Sequence, residues 1–214
     1  MNSTPERSAG MYKLLRSSHF YSIFNSILGG TDLRKSIVRE AQISPGARVL
    51  DVGSGTSRIL ECLPTVSYLG LEPSAAYVER ARKTYPYPEA EFRQGSIGDM
   101  RQLSDSFDVV MALGVLHHVP DDAVNDFFRA AVGLLRPGGQ IITLDPATWS
   151  GMPSLARYFV SKDRGKHVRP AEVLRELMVE ALPGAGMQST FYEFSGTLRI
   201  PYAHLYSRHQ LDSR

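Results

Sequence analysis

Arg48-Val-Leu-Asp-Val-Gly-Ser-Gly-Thr56 is the stretch that decides the fold of this chain. Its first half combines apolar and β-branched residues, which is typical of a short strand buried on both faces. Gly53 and Gly55 follow one residue apart, as in a turn whose backbone must come close to a ligand. The residues that come next, 57–63, predict the first turns of a helix. A strand that leads through a glycine-rich turn into a helix is typical of nucleotide-binding α/β proteins.

The turn differs from the dinucleotide-binding fingerprint G-x-G-x-x-G, because Arg58 stands where the third glycine is required. Asp51, at the end of the strand, would repel a pyrophosphate and attract a ligand with a cationic amino-acid group. S-adenosylmethionine is such a ligand, since it carries an ammonium group and a positively charged sulfur. The stretch resembles the first motif of class I S-adenosylmethionine-dependent methyltransferases. Taken alone, the motif is also compatible with an ordinary β–α turn whose glycines serve packing.

Length and composition limit the protein classes that need to be considered. The chain has 214 residues, of which 43% are hydrophobic and 21% charged, and this suits one α/β domain with a modest extension. A net charge of +2 is too small to demand a nucleic-acid partner. Cys62 is the single cysteine, so nothing indicates an oxidising compartment. Because we find neither a signal peptide at the start nor a run long enough for a membrane helix, we expect a cytoplasmic protein without a membrane span.

Two further segments resemble methyltransferase motifs, and they follow the first in the expected order. Phe107–Leu113 predicts a central buried strand. Its continuation, Gly114-Val-Leu-His-His-Val-Pro120, resembles the x-x-L-H-H segment that follows this strand in small-molecule and lipid methyltransferases. Leu134-Leu-Arg-Pro-Gly-Gly139 leads into a fifth strand, as it does in the family. Over residues 46–206 the resemblance implies an α/β, Rossmann-like sheet of seven mostly parallel strands, with an antiparallel last strand and helices on both faces. The other predicted strands are 67–71, 91–94, 140–144, 188–194 and 197–206, and the other predicted helices are 75–85, 121–135 and 170–181.

The predicted domain organisation has two parts. Residues 1–45 form a polar tail and two helices, 11–28 and 31–42, which either make a lid over cofactor and acceptor or cover an edge of the sheet. Residues 46–214 form the methyltransferase domain, with an acceptor-side insertion at 146–169.

Candidate cofactor contacts follow from these motifs. Glu72 ends the second strand 21 positions after Asp51, where a carboxylate can accept hydrogen bonds from both ribose hydroxyls, although it could instead cap the helix that follows Pro73. Ser96 departs from the acidic residue that the family places against adenine, which leaves that contact in doubt, while Asp99 can cap the next helical turn. The resemblance implies a cofactor site formed by Asp51, Gly53, Ser54, Gly55, Glu72, Ser96, Ile97 and Leu113.

The histidine pair that follows the fourth strand has two interpretations. His117 is the candidate general base, because an imidazole at the carboxyl end of a parallel sheet could take a proton from an acceptor hydroxyl. Alternatively, one or both histidines bond to the backbone and hold the loop. A metal is not expected, because the fourth strand does not end in the carboxylate that metal-dependent methylation of catechols would require.

The insertion is basic and aromatic, and it lies where related enzymes recognise the acceptor. Arginines at the rim of a site suit a carboxylate or a phosphate, so we expect an anionic small-molecule, sugar or lipid-type acceptor. A solvated basic helix end is the alternative explanation. The candidate acceptor contacts are Tyr21, His118, Arg157, Arg164 and Arg169.

The function implied by the resemblance is methyl transfer from S-adenosylmethionine, with S-adenosylhomocysteine as product. A cofactor-binding module without catalysis, or a partner subunit of another methyltransferase, is the first alternative. An NAD(P)-dependent dehydrogenase is disfavoured by the missing third glycine, and a nucleic-acid methyltransferase is disfavoured by the modest charge. The sequence does not indicate the oligomeric state.

Overall fold

The computed structural model describes residues 30–163, 165–182, 186–195 and 202–213. Within them, one sheet is covered by helices on both faces. The strands are β1 (Arg48–Val52), β2 (Ser67–Glu72), β3 (Ala90–Gln94), β4 (Phe107–Leu113), β5 (Leu135–Thr148), β6 (Arg169–Pro170), β7 (Met187–Ser195) and β8 (Ala203–Leu211). The α-helices are α1 (Gly30–Ala41), α2 (Ala75–Thr84), α3 (Asp121–Leu134), α4 (Ser154–Ser161) and α5 (Ala171–Ala181). Short 3-10 helices span Arg58–Glu61, Ile97–Leu103 and Leu116–His118.

The sheet confirms the predicted Rossmann-like class. Its strand order is β3-β2-β1-β4-β5-β8-β7, and the two-residue β6 pairs with the end of β5. The pairs from β3 to β5 are parallel, whereas β8 is antiparallel to both of its neighbours. The order of the strands reverses between β1 and β4, so the carboxyl ends of these two strands border the crevice in which open α/β sheets bind ligands.

Strand β4 shows why the sheet needs helices on both faces. Val110 and Ala112 pack into the cluster that includes α3 and α5, while Val109 and Met111 pack into the cluster that includes α1 and α2. Because successive side chains of a strand point to opposite faces, an uninterrupted apolar run must be buried on both. The bounds predicted for β4 match those observed.

The segment after the first glycine turn is shorter than predicted. The helix expected at 57–63 is reduced to one 3-10 turn, Arg58–Glu61. Ser57 adopts a left-handed conformation with φ of 57°, which an α-helix cannot contain. Pro64 then disfavours helical geometry at the residue before it.

The last strand lies further along the chain than predicted. The predicted strand 197–206 is instead β8, which extends to Leu211, and residues 196–201 lie outside the described part. Ser207 and His209 are fully buried although they are polar. The Ser207 hydroxyl shares a 2.7 Å hydrogen bond with Thr143, and the His209 ring lies 2.8 Å from the hydroxyl of Ser189. These polar core residues break the apolar alternation that would have marked the strand.

Of the two predicted N-terminal helices, only the second is described, as α1. Its Ile37 and Ala41 pack into the core cluster on one sheet face, and Gln140 on β5 donates a 2.7 Å hydrogen bond to the carbonyl of Ala41. This helix therefore covers the sheet. The helix predicted at 11–28 lies outside the described residues, so the lid and the division at residue 45 stay predictions. No helix in the described ranges is long and apolar enough to cross a membrane.

Candidate active site

The turn after β1 is tied to the end of β2. The backbone N–H groups of Gly53 and Ser54 both donate to the carbonyl of Leu71, at 2.7 and 3.2 Å. Gly53 and Gly55 adopt positive φ angles of 70° and 55°. The turn can take this form because glycine has no side chain to oppose left-handed geometry.

The two turns that border the crevice touch at Gly53. A Cβ atom built at this position would lie 2.6 Å from Cγ2 of Val115, which belongs to the loop after β4. Gly114, just before it, has a positive φ of 71° and donates a 2.6 Å hydrogen bond to the carbonyl of Leu144. The loop after β4 therefore packs against the glycine turn, and Leu113, the last residue of β4, directly precedes this loop.

We predict that Gly53→Ala lowers the free energy of unfolding by about 2–3 kcal/mol, because it adds left-handed strain and a clash with Val115. Gly46→Ala is the matched control, since Gly46 also has a positive φ, of 82°, but no atom lies within 4 Å of its built Cβ. This control should lose only about 1 kcal/mol. Urea unfolding of the two variants measures the difference. Equal losses would mean that the contact with Val115 does not constrain the turn.

Glu72 connects the glycine turn to the start of α2. One carboxylate oxygen accepts the N–H of Gly55 at 3.0 Å, and the other accepts the N–H of Ser74 at 2.9 Å. The bond to Ser74 is the kind that a helix-capping acid makes, whereas the bond to Gly55 serves the glycine turn. Burial raises the pKa of Glu72, and these two backbone bonds oppose the rise. Each oxygen keeps a second lone pair, so the carboxylate can also accept ligand hydroxyls.

Asp51 is a buried acid with one protein partner in the described structure. The hydroxyl of Tyr68 donates a 2.6 Å hydrogen bond to Asp51 Oδ2. Burial raises the pKa of Asp51 to about 7; the Tyr68 bond lowers it, and the charge of Glu72 adds a smaller increase. A ligand ammonium would compensate this buried negative charge, which fits the role predicted for Asp51. Tyr68 was not among the predicted site residues, because nothing in its sequence context marks it.

The predicted adenine side of the site follows β3. The backbone N–H of Ser96 and its hydroxyl both donate to Asp99 Oδ2, at 2.7 and 3.0 Å. The prediction that Asp99 caps this helical turn is therefore confirmed. The hydroxyl of Ser96 has used its only proton, so towards a base it can act only as an acceptor. Ile97 is buried beside it.

His117 lies between two carboxylates. Its Nδ1 is 2.8 Å from Asp145 Oδ1, and its backbone N–H donates to the same oxygen at 3.1 Å. Its Nε2 faces Asp163 Oδ1 at 3.6 Å. The imidazole is only 3% exposed, so this geometry favours the loop-holding interpretation of His117 over the general-base interpretation. Asp145 is fully buried, and burial raises its pKa while His117 lowers it.

His118 packs against His117, with ring centroids 3.9 Å apart. Burial, with a smaller contribution from the charge of His117, lowers the pKa of His118 to about 4. His118 is therefore neutral near pH 7. Its half-buried ring can contact a ligand as an uncharged group.

The predicted acceptor arginines separate in the structure. Arg169 is buried, and all five of its N–H donors are used: two by Asp121 Oδ1 and one each by the carbonyls of Leu116, His167 and Val119. The prediction that Arg169 binds an anionic acceptor is corrected here, because no donor is left for a ligand; it holds the loop after β4. Exposed Arg157 donates to the carbonyl of Trp149 at 3.0 Å.

Two of the predicted acceptor contacts, Tyr21 and Arg164, lie outside the described residues. In the described part of the chain, no three His, Cys, Asp or Glu side chains are grouped as a metal ion would require. That the reaction needs no metal ion stays a prediction.

The residues at the β1–β4 crevice fit S-adenosylmethionine on two observations. Asp51 is a buried carboxylate that lacks a cationic partner in the described structure, and Gly53 and Gly55 keep the turn after β1 free of side chains that would stand between its backbone and a ligand. The first provides a place for an ammonium group, and the second lets a ligand approach the backbone.

Comparison with known proteins agrees with this fit. Residues 49–139 match the family described as "Methyltransferase domain". A ubiquinone biosynthesis O-methyltransferase of Xanthomonas axonopodis pv. citri (strain 306) is 31% identical, over 81% of this chain and 74% of that protein. The chain belongs to the class I S-adenosylmethionine-dependent methyltransferases, and is an enzyme of that type.

Solved structures share the fold at lower identity. A phosphoethanolamine N-methyltransferase 2 of Haemonchus contortus, in complex with S-adenosyl-L-methionine, matches 95% of this chain and 60% of its own, with a TM-score of 0.72 and 12% identity. A chain in the complex of the Haloferax volcanii Trm112 methyltransferase activator with a methyltransferase matches 91% of this chain and 96% of its own, with a TM-score of 0.67 and 16% identity. At such identities the likeness extends to the fold alone.

Proposed function

We propose that this protein transfers the methyl group of S-adenosylmethionine to a hydroxyl group of a small molecule. The observation that carries the proposal is the pairing of two buried carboxylates, Asp51 and Glu72, with the glycine turn at the β1–β4 crevice. An oxygen acceptor is supported by the name of the Xanthomonas relative, an O-methyltransferase.

In this proposal the chain holds the cofactor through four groups of contacts. Asp51 binds the ammonium, and Glu72 accepts the ribose hydroxyls while it anchors Gly55. Ser96 accepts the adenine amino group and Ile97 packs on the ring. Backbone at Gly53, Ser54, Gly55 and Leu113 lines the remainder. When bound, S-adenosylmethionine supplies a methyl group on a positively charged sulfur.

Fewer residues are proposed to contact the acceptor than the cofactor. His118 contacts the acceptor, with Tyr21, Arg157 and Arg164 as further candidates. An anionic acceptor, whether small molecule, sugar or lipid, now depends on Arg157 and Arg164, because Arg169 has no donor left. If His117 is the base, its Nε2 must exchange Asp163 for the acceptor hydroxyl. Because a sulfonium methyl group is already a strong electrophile, alignment of the reactants and exclusion of water can suffice without a base. A cytoplasmic location remains part of the prediction.

The test is transfer of radiolabelled methyl groups from S-adenosylmethionine to matched aromatic probes. Catechol and 3,4-dihydroxybenzoate compare a neutral with an anionic hydroxyl acceptor, and 3,4-dimethoxybenzoate is the control without a hydroxyl. Label in the first two products alone would support the proposal, and a preference for dihydroxybenzoate would support an anionic acceptor. Cofactor binding without transfer to either hydroxyl probe would contradict an aromatic hydroxyl group as the acceptor.

A further inference from the structure

A buried cluster joins the acceptor-side insertion to the end of the sheet. We define the latch cluster as Asp145, His117, Asp163 and Tyr202. Asp145 belongs to β5, His117 to the loop after β4, and Asp163 follows α4 in the insertion, while Tyr202 directly precedes β8. These four elements are separate in sequence, so the cluster can form only when the insertion is docked.

Asp163 is the centre of the latch cluster. Its Oδ1 accepts the backbone N–H of Gly165 at 2.5 Å and lies 3.6 Å from Nε2 of His117. Its Oδ2 accepts the hydroxyl of Tyr202. The Asp163 side chain is only 6% exposed, and a carboxylate so deeply buried must be satisfied by its neighbours.

The chain closes tightly over His117 at this point. A Cβ atom at Gly165 would lie 2.2 Å from Cδ2 of His117, and the N–H of His167 donates to the carbonyl of His117 at 3.0 Å. Arg169 adds its bonds to the carbonyls of Leu116 and Val119. The insertion is therefore fastened on both sides of the histidine pair, which directly follows the β4 end of the crevice.

Tyr202 fastens the other side of the insertion. It packs in a small core with Met152, Ala156 and Val160. Tyr202 therefore contacts α4 through its ring and Asp163 through its hydroxyl. Burial and the adjacent Asp163 raise the pKa of Tyr202, which keeps its hydroxyl protonated as a donor. His204, two residues after Tyr202, has its pKa lowered to about 3, mainly by burial, so it adds no positive charge to the cluster near pH 7.

We propose that Asp163 and Tyr202 are positioning residues for methyl transfer: through His117 they hold the insertion, residues 146–169, in the place where it forms the acceptor side of the cleft. The inference rests on the proposed function for its catalytic consequence and on the described contacts for its structural one. Neither residue belongs to the predicted cofactor site, so binding of S-adenosylmethionine should not depend on them.

The test uses Asp163→Asn and Tyr202→Phe in the full chain, with Asp126→Asn as control, because the Asp126 side chain is 80% exposed on α3. Amide hydrogen exchange across residues 163–169 should accelerate about tenfold in both variants and stay unchanged in the control. Titration calorimetry should give the same affinity for S-adenosylmethionine in all four proteins. Exchange that stays at the wild-type rate in both variants would overturn the proposal.

A kinetic readout separates positioning from mere stability. With 3,4-dihydroxybenzoate as probe, kcat/KM for the acceptor should fall about 100-fold in Asp163→Asn, while KM for S-adenosylmethionine stays the same. Equal losses for both substrates would indicate general destabilisation and contradict a positioning role. Wild-type protein that fails to bind S-adenosylmethionine would instead contradict the proposed function, and the exchange measurement would then decide on the latch cluster alone.

Discussion

Replacing Glu72 with alanine is expected to weaken S-adenosylmethionine binding about 100-fold, because hydrogen bonds to a charged group contribute about 1.5–3 kcal/mol each. The variant loses the carboxylate that we propose for the ribose hydroxyls. It also leaves the N–H groups of Gly55 and Ser74 without the acceptor they have in the structure. The glycine turn and the start of α2 would then both be less well ordered. Titration calorimetry with S-adenosylmethionine and S-adenosylhomocysteine measures the loss.

Two further variants separate the ligand contact from the effect on the fold. Glu72→Gln keeps one acceptor oxygen in nearly the same shape and should lose only about tenfold in affinity. Glu89→Ala removes an exposed acid of the loop before β3 and should change neither affinity nor melting temperature. If folded Glu72→Ala bound S-adenosylmethionine within about threefold of the wild type, the ribose contact would have to be assigned elsewhere.

The second large effect is a pH dependence of the affinity for S-adenosylmethionine, which we attribute to the ionisation of Asp51. With a pKa of about 7, the carboxyl group is mostly protonated at pH 6 and mostly ionised at pH 7.5. Only the ionised form attracts the ligand ammonium, so binding must release a proton at low pH. The affinity for S-adenosylmethionine should therefore rise about eightfold from pH 6 to pH 7.5. Calorimetry in buffers of different ionisation enthalpy would detect the released proton directly.

Asp51→Asn tests the origin of this pH dependence. The amide cannot ionise, so the affinity should fall to about the level of the protonated wild type or below and stay constant with pH. Because the pKa of Asp51 is raised in the folded chain, its ionisation costs stability as the pH rises from its ordinary value through about 7. The variant should consequently melt higher than the wild type at pH 7.5, which also shows that it is folded.

Tyr68→Phe is a second test, because it should shift the pKa of Asp51 without removing its carboxyl group. The hydrogen bond from Tyr68 lowers the pKa of Asp51, so its loss should raise that pKa and move the rise in affinity to higher pH. His118 and His209, whose pKa values burial lowers to about 4, remain neutral between pH 6 and pH 7.5 and do not contribute to the change. A pH dependence that persisted in Asp51→Asn would contradict the assignment.

Local chemistry in the sequence was enough to predict the part of the fold that we propose as the cofactor site. Buried parallel strands need mostly apolar runs, and β1 and β4 lie where such runs predict them. The glycines of the first turn have positive φ angles. Glycine adopts this conformation at little steric cost, so the residue type alone indicates the turn. Glu72 lies at the tip of β2 because strand length and direction place it there.

Polar residues in the core were harder to predict. Ser207 and His209 are buried only because Thr143 and Ser189, on the neighbouring strands, supply their hydrogen bonds. Without these partners the same residues indicate an exposed loop, which is why the predicted last strand ends at 206 whereas β8 continues to Leu211.

The acceptor side was decided by tertiary structure. The sequence predicts Arg169 as an acceptor contact, but its partner Asp121 lies 48 positions away and accepts hydrogen bonds from its guanidinium. The His117 imidazole meets Asp145 from 28 positions away, and Asp163 meets Tyr202 across 39. The sequence by itself determined the sheet, the glycine turn and its two acids, because these depend on neighbours along the chain. Only the folded chain decided which charged side chains are satisfied by the protein and which stay available to a ligand, because a charge buried in the interior must find its partner wherever the topology brings one.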